Sequence, residues 1–327
     1  MLSLQSSHYA MATEFELLVY GDRETYLQSV TEAVFQEISR LEAQLSFYNP
    51  DSDISDLNRR AAHKAVVVEP RLFHLLSKAK ALSEATGGAF DPTVAPLMRC
   101  WGFVGASGSM PTAEAIAEAR KVVGMQHVHL DSGAYTVAFD AEGVQLDLGA
   151  IGKGYGVECA VELLQEYEIE AALLHGGTST VYALGQPPDA DAWTIAVQRP
   201  FDTTPGHHLT RFALRDESLS VSAPHGKWFA SEGRRYGHVI DPRTGYPAGS
   251  ALLAALVTAS ATDGDALSTA LLTLGPEGLA VIGSLLPDCR ALVAAAPPSD
   301  HQTNPTEEID ISTWGIEAPR PGDQRGS

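Results

Sequence analysis

The chain has 327 residues, of which 44% are hydrophobic and 19% are charged. This composition excludes disordered and collagen-like chains and predicts a globular protein that can bury a sizeable core. Its 22 Lys and Arg against 41 Asp and Glu give a formal net charge of −19, which argues against non-specific binding to nucleic acid or to anionic lipid surfaces.

The cysteines and the amino-terminal segment bear on the compartment. Cys100, Cys159 and Cys289 are scattered without C-x-x-C spacing, so neither a disulfide framework nor a zinc site is predicted. The start of the chain lacks the basic segment and the continuous apolar segment of a signal peptide. Nowhere do about eighteen apolar residues follow one another, so no membrane segment is predicted. The sequence as given therefore favours a cytoplasmic location, or a periplasmic one if a leader was removed.

The first part of the chain is predicted to be mainly helical. Apolar residues spaced three and four apart predict a long amphipathic helix from Asp22 to Phe47. A second helix is predicted from Arg71 to Thr86, before two glycines, and a third from Pro111 to Gly124. Two alternating runs then predict a hairpin from His127 to Asp147.

The segment LDLGAIGKGYG, residues 146–156, stands between this hairpin and a helix predicted from Gly154 to Tyr167. It is not a P-loop, because Asp147 occupies the position of the required glycine and no Ser or Thr follows the lysine. It is not the dinucleotide fingerprint G-x-G-x-x-G either, because Val157 replaces the last glycine. The amino end of the helix is nevertheless expected to point its free N–H groups at whatever lies in the glycine loop.

Beyond residue 167, short strands and helices follow one another without regular βαβ alternation. This pattern favours an α+β fold with mixed or antiparallel sheets and packed helices, forming a single compact unit over residues 1–296. Residues 297–327 are rich in proline and acidic residues and predict a mobile tail. The strand candidates are AALLH, TVYALG, WTIAVQR, LTRFALR, SLSVSA, RYGHVID, LLAALVTASA and RALVAAA, with two helices near Asp263 to Leu286.

Three clusters carry candidate chemistry. In RRYGHVIDPRTGYP, His238 precedes a turn and is either a general base beside an anionic substrate or only a structural histidine. In ATDGDALSTALLTLG, Asp265 and Thr269 share one helix face and offer oxygens that suit Mg²⁺, although an Asp at a helix start is more often a cap. The loop ATGGAFDPTVAPL contains two glycines, an aromatic residue and Asp-Pro, which could hold a ring and its polar edge.

In this order, the segments resemble the FAD:protein FMN transferase family, the ApbE-like flavin transferases, from about Met11 to Val293. The resemblance implies that FAD is cleaved at its pyrophosphate with Mg²⁺, that FMN is attached through a phosphoester to a Ser or Thr hydroxyl of a target protein, and that AMP is released. The segments that carry it are Met11-Ala12-Thr13, LSFYNPDSDISDLN, TGGAFDPTVAPL, LDLGAIGKGYGVE, HGGTSTVYALG, YGHVIDPRTGYP and GDALSTALLTLG.

The resemblance also implies roles for individual residues. The Mg²⁺ site falls on Asp265 and Thr269, with the backbone carbonyl of Ala150 as a further ligand. His238 is expected to take the proton from the acceptor hydroxyl, and Asp241 is a candidate to orient it. The positions that match FAD contacts are Met11, Tyr48, Ala89, Phe90, Asp91, Asp147, Lys153 and Val239.

Three positions depart from the family pattern. Ala12 and Ala223 stand where glycine is usual, and Ser268 stands where some relatives carry a second aspartate. Two alternatives to the transferase remain open from the sequence: an FAD pyrophosphatase that gives FMN and AMP with water as the acceptor, and a protein that binds FAD without processing it.

Overall fold

The computed structural model describes residues 1–105, 108–202, 204, 207–224, 228–231, 234–297 and 309–318. Its helices are α1 Glu24–Leu45, α2 Asp53–Arg60, α3 Pro70–Ala85, α4 Ala95–Cys100, α5 Ala113–Arg120, α6 Gly152–Glu166, α7 Ala261–Leu274 and α8 Gly278–Leu285. Its strands are β1 Leu2–Ala10, β2 Thr13–Gly21, β3 Val66–Val67, β4 Val128–Asp131, β5 Thr136–Phe139, β6 Ala172–Gly176, β7 Thr180–Leu184, β8 Trp193–Gln198, β9 His208–Leu214, β10 Glu217–Ser222, β11 Trp228–Ser231, β12 Arg234–Gly237, β13 Leu253–Thr258, β14 Arg290–Ala295 and β15 Asp310–Trp314. The α+β prediction with antiparallel sheets and packed helices is confirmed.

Within the fold, the chain divides into two compact units. The first comprises Met1–Glu42, Gly152–Ser222 and Ser250–Ser327, and the second comprises Ala43–Ile151 and Ala223–Gly249. The chain passes from one unit to the other four times, so no single linker marks the division in the sequence.

An antiparallel sheet of eight strands, in the order β1-β2-β6-β7-β10-β13-β14-β15, forms the centre of the first unit. Alternation along the strands gives the sheet two apolar faces. Phe15 and Leu17 of β2 pack with Val34 of α1 and Val157 of α6 in one core. The opposite face packs with the ribbon formed by β8 and β9, which contributes Trp193 and Phe212. Both faces of the central sheet are therefore covered.

The second unit contains α2 to α5, the three-stranded sheet β3-β5-β4 and the ribbon β11-β12. Its core includes Leu97, Ile116 and the fully buried Trp101. The Trp101 indole donates a hydrogen bond to the Gly245 carbonyl oxygen, at 2.7 Å. This bond ties α4 to the turn that follows β12.

Two local predictions around the glycine segment are wrong. The hairpin forms from β4 and β5, but its second strand ends at Phe139 rather than continuing to Asp147. The reason is that the Asn58 side chain hydrogen-bonds both the N–H and the carbonyl of Leu146, at 2.7 and 2.9 Å, in place of a neighbouring strand. The helix predicted from Gly154 begins two residues earlier, so Gly152, expected in the glycine loop, lies in the first turn of α6.

The tail prediction is wrong for one stretch. Residues 310–314 form β15, which pairs with β14 at the edge of the central sheet. The physical reason is that Ile309 and Ile311 pack against the core beneath the β8-β9 ribbon, an anchoring that the proline-rich composition conceals. The remaining predicted tail residues, 298–308 and 319–327, lie outside the described part.

The most apolar helical segment belongs to the first unit. Ala261–Leu285 is long and apolar enough to cross a membrane by composition, yet 67% of its most apolar window is buried inside the protein, as in a core helix. Cys100, Cys159 and Cys289 are free thiols.

Candidate functional site

Lys153 and Asp265 face each other on α6 and α7 of the first unit. The Lys153 Nζ lies 3.8 Å from Asp265 Oδ1, and the aspartate side chain is 5% exposed. The other oxygen, Oδ2, accepts a buried hydrogen bond from the Gly154 N–H at 2.9 Å. The aspartate thus caps the amino end of the neighbouring helix rather than that of its own helix.

Residue 154 must be glycine for the two helices to approach this closely. A Cβ at this position would lie 2.2 Å from the Ala261 carbonyl oxygen and 2.6 Å from Asp265 Cβ. Glycine therefore has a steric function here. It allows a backbone amide to reach a carboxylate on the adjacent helix.

Hydroxyl groups surround the same part of α7. The Oγ of Ser222, on β10, lies 2.9 Å from Ser268 Oγ and 3.3 Å from Thr269 Oγ1. Ser268 and Thr269 also donate to the Asp265 carbonyl oxygen, at 3.0 and 3.2 Å. Ser222 was not predicted from the sequence, since it lies on a distant strand, although SLSVS alternates serines along one strand face.

This donor set suits a hard cation. It combines the Asp265 carboxylate with the hydroxyls of Ser222, Ser268 and Thr269, and oxygen ligands are those that Mg²⁺ prefers. Within the described ranges, no three His, Cys, Asp or Glu side chains cluster as a conventional metal site. The two buried hydroxyls of Ser218 and Ser220 extend the row along β10 and have no hydrogen-bond partner. The oxygen set thus contains one carboxylate and several neutral hydroxyls.

Met11 lies in the tight turn between β1 and β2, and both Met11 and Ala12 have positive φ angles, of 50° and 58°. Glycine adopts this conformation without strain, whereas a residue with a Cβ such as Ala12 does not. The Met11 N–H donates to Glu42 Oε1 at 2.8 Å. The Met11 methyl group lies 3.2 Å from where a Cβ on Gly156 would be, so the turn packs on α6.

Tyr48 and Asp147 interact electrostatically in the second unit. Desolvation and then the Asp147 carboxylate raise the pKa of the Tyr48 hydroxyl above its ordinary value, and Arg99 partly offsets this effect. The Asp147 N–H donates to the Pro92 carbonyl at 2.7 Å, which fixes this residue beside the AFDP segment. Ala150 follows in the turn where the Ile151 N–H donates to the Leu148 carbonyl.

The side chains of Ala89, Phe90 and Asp91 are buried within the second unit. Asp91 Oδ1 accepts from the N–H and the hydroxyl of Thr93, at 2.8 and 2.5 Å. Its Oδ2 accepts from Ser83 Oγ and the Met125 N–H, at 3.0 and 3.1 Å. With both oxygens engaged inside the unit, a ligand at this segment would contact its backbone.

His238 and Val239 follow β12 in the second unit. The Val239 carbonyl accepts from the Ala248 N–H at 2.8 Å. Both oxygens of Asp241 accept hydrogen bonds from Arg243, whose Nε and Nη2 lie at 2.9 and 2.8 Å, and these bonds raise the pKa of Arg243. Asp241 is therefore paired with Arg243 through both of its carboxylate oxygens.

The predicted residues fall into one group per unit. The first unit holds Met11, Lys153, Asp265 and Thr269. Of the predicted metal ligands, Asp265 and Thr269 share one face of α7, whereas Ala150 belongs to the second unit. The second unit holds Tyr48, Ala89, Phe90, Asp91, Asp147, Ala150, His238 and Val239.

Residues 11–293 match the model of the ApbE family. The chain is 33% identical over 265 residues to the FAD:protein FMN transferase of Treponema pallidum, covering 77% of this chain and 73% of that protein. It is 32% identical over 253 residues to a protein of the same name from Klebsiella pneumoniae, covering 76% and 77% of the two chains.

Two solved structures are similar over nearly the whole fold. The ApbE protein from Thermotoga maritima aligns with a TM-score of 0.84 and 26% identity, over 95% of this chain and 97% of that one. The flavinyl transferase ApbE from Pseudomonas stutzeri aligns with a TM-score of 0.80 and 26% identity, over 96% and 94% of the two chains. The chain therefore belongs to the ApbE family, and the relatives named above are FAD:protein FMN transferases.

Proposed function

We propose that this protein is a Mg²⁺-dependent FAD:protein FMN transferase, which attaches the FMN half of FAD to a Ser or Thr hydroxyl of an acceptor protein and releases AMP. The observation that carries the proposal is the face shared by α6 and α7. It sets the Lys153 ammonium 3.8 Å from the Asp265 carboxylate, beside a group of three hydroxyls. Family membership supports the same activity.

In the proposed reaction, the acceptor oxygen attacks the phosphorus of the FMN half. A phosphoester bond forms, the bond to the bridging pyrophosphate oxygen breaks, and AMP leaves with that oxygen. His238 takes the proton of the acceptor hydroxyl. Such transfers depend mainly on positioning and on neutralising the non-bridging oxygens, and Lys153 supplies a cation for this purpose in a chain with a net charge of −19.

Mg²⁺, when bound, would neutralise further charge on the phosphates. The oxygen donors of α7 and Ser222 fit such a hard cation, with Asp265 and Thr269 as the proposed side-chain ligands and the Ala150 carbonyl as the proposed backbone ligand. Ser268, where some relatives carry a carboxylate, keeps an oxygen at this position but lacks the negative charge.

The second unit is proposed to hold the flavin substrate. Tyr48 offers an exposed ring for stacking, and Asp147 lies close enough to affect the Tyr48 pKa. The backbone of Ala89, Phe90, Asp91 and Val239 is proposed to provide further contacts, since the side chains of the first three are buried.

The direct test is incubation of the full chain with FAD, Mg²⁺ and a candidate acceptor protein, followed by mass spectrometry. We expect the acceptor to gain the mass of FMN minus water, together with an equivalent amount of AMP. AMP without a labelled acceptor would instead indicate a pyrophosphatase. FAD retention without AMP, across all acceptors, would indicate a binding protein.

A further inference from the structure

The amino ends of α6 and α7 are capped by each other's carboxylates. Asp265 of α7 accepts the Gly154 N–H in the first turn of α6. Reciprocally, Glu158 of α6 accepts the Thr262 N–H in the first turn of α7, at 2.8 Å. Glu158 also accepts the hydroxyl of Ser260, the N-cap residue of α7, at 2.6 Å. The two helix starts are thus held together by an exchange of caps.

This exchange fixes the orientation of the Asp265 carboxylate. Oδ2 is committed to the Gly154 amide, whereas Oδ1 is the oxygen that faces Lys153. A residue that orients a ligating carboxylate through hydrogen bonds commonly tunes metal affinity. The hydrogen bonds of the Glu158 carboxylate go to Ser260 and Thr262, at the start of the helix that carries Asp265 and Thr269.

The charges around Glu158 argue for a specific role. Its carboxylate adds negative charge to a chain with a net charge of −19, at the start of a helix whose first turn already contains Asp263. A helix start could be capped by the Ser260 hydroxyl alone, and this hydroxyl already accepts the Asp263 N–H at 3.1 Å. The second cap supplied by Glu158 is needed only to join α7 to α6.

We propose that Glu158 is a positioning residue for the cation site, which keeps the Asp265 carboxylate oriented by locking the amino end of α7 to α6. The inference rests on the proposed function. The quantity it predicts is the metal affinity of the protein, which can be measured without an assay of FMN transfer.

The test is a titration of the full-length protein with Mn²⁺ alone, in which electron paramagnetic resonance measures the Mn²⁺ affinity. Thermal unfolding is measured in parallel. Glu158→Ala is expected to weaken Mn²⁺ affinity by about 10- to 100-fold, the range found when a residue behind a metal ligand is removed. Glu158→Gln retains an oxygen that can accept both hydrogen bonds and is expected to restore affinity to near that of the wild type. The control is Glu166→Ala, an exposed glutamate on the same helix, which should bind Mn²⁺ like the wild type.

An unchanged Mn²⁺ affinity in Glu158→Ala, with or without a lower unfolding temperature, would overturn the proposal. If Glu158→Ala does not fold, Ser260→Ala removes one of the two bonds and should weaken Mn²⁺ binding several-fold, and unchanged affinity there would also overturn it. If the variants differ in Mn²⁺ affinity as expected but the wild type transfers no FMN, the positioning role is supported and the transferase is refuted. If the wild type transfers FMN but the variants bind Mn²⁺ equally, the transferase is supported and the positioning role is refuted.

Discussion

Two buried aspartates, one in each unit, bond in opposite ways. In the first, Asp265 commits Oδ2 to a backbone amide and turns Oδ1 toward the Lys153 ammonium. In the second, Asp91 accepts four hydrogen bonds, two on each oxygen, all from its own unit. Both residues stand in segments that resemble the family, so a matching motif does not reveal whether a carboxylate serves a ligand or the fold.

The difference follows from what each carboxylate organises. Asp265 lies between two helices that are themselves rigid, so a single bond to Gly154 suffices to orient it. Asp91 holds together three separate segments: the last turn of α3, the AFDP turn and the 3₁₀ turn at Met125. A loop site needs an internal carboxylate to fix its backbone, whereas a helical site can leave one oxygen for chemistry.

The largest expected effect is on catalysis, from Asp265→Asn. This change keeps the shape of the side chain but removes its charge beside Lys153, so we expect kcat/KM for FMN transfer to fall roughly 10²- to 10³-fold, as when one electrostatic stabiliser is lost. The fold should persist by circular dichroism. Asp263→Asn, on the same helix, is the matched control, and equal losses in the two variants would contradict the assignment of Asp265.

The next effect is on stability, from Asp91→Ala. The substitution leaves the Ser83 hydroxyl, the Thr93 N–H and the Met125 N–H without their acceptor in a buried site, which we expect to cost about 3 kcal/mol of unfolding free energy. Urea unfolding measures this directly. Asp91→Asn, which retains an acceptor oxygen, should cost less. A stable Asp91→Ala variant with lost FAD binding would show instead that the carboxylate contacts FAD.

The sequence predicted best what depends on neighbours in the chain. The 3.6-residue period gave α1 within two residues at each end, and the i, i+4 spacing correctly placed Asp265 and Thr269 on one face of α7. Short elements such as α2 and β3, and the weakly patterned edge strands β1 and β15, were missed, because tertiary packing rather than local pattern stabilises them.

The parts of the site that escaped prediction depend on distant residues. Ser222 of β10 contacts Thr269 of α7, which is 47 positions away in the sequence. Glu158 of α6 bonds the amino end of α7, which is 104 positions away. Nothing near these residues in sequence indicates such partners. The end of the predicted strand before Asp147 was wrong for the same reason, since Asn58 takes the backbone groups of Leu146 from 88 positions away.

A smaller effect is expected at the β1–β2 turn of the first unit. Ala12 has a φ of 58°, a left-handed conformation that costs a residue with a Cβ roughly 1 kcal/mol and costs glycine little. Ala12→Gly should therefore raise the unfolding free energy by about 1 kcal/mol in urea. Ala10→Gly, two residues earlier in β1, is the control and should lower it. Destabilisation by Ala12→Gly would mean that the turn gains more from the methyl group than it loses in strain.

The smallest expected effect is a loss of unfolding free energy in acid solution, and it should arise in the first unit only. Burial lowers the pKa of His175 on β6 below its ordinary value of 6.5, and Glu16, its cross-strand neighbour, offsets this only in part. Below about pH 6.5 the unfolded chain then binds more protons at this histidine than the folded chain does. Its contribution to the unfolding free energy is therefore constant near neutral pH and is lost as the pH drops through the folded-state pKa.

His175→Gln should flatten this fall in unfolding free energy while changing little at pH 7. His63→Gln, at an exposed histidine of the second unit, should leave the fall intact. Hydrogen exchange should locate the acid loss in β2 and β6 of the first unit, and an equal loss of protection in α3 of the second unit would exclude His175 as its cause.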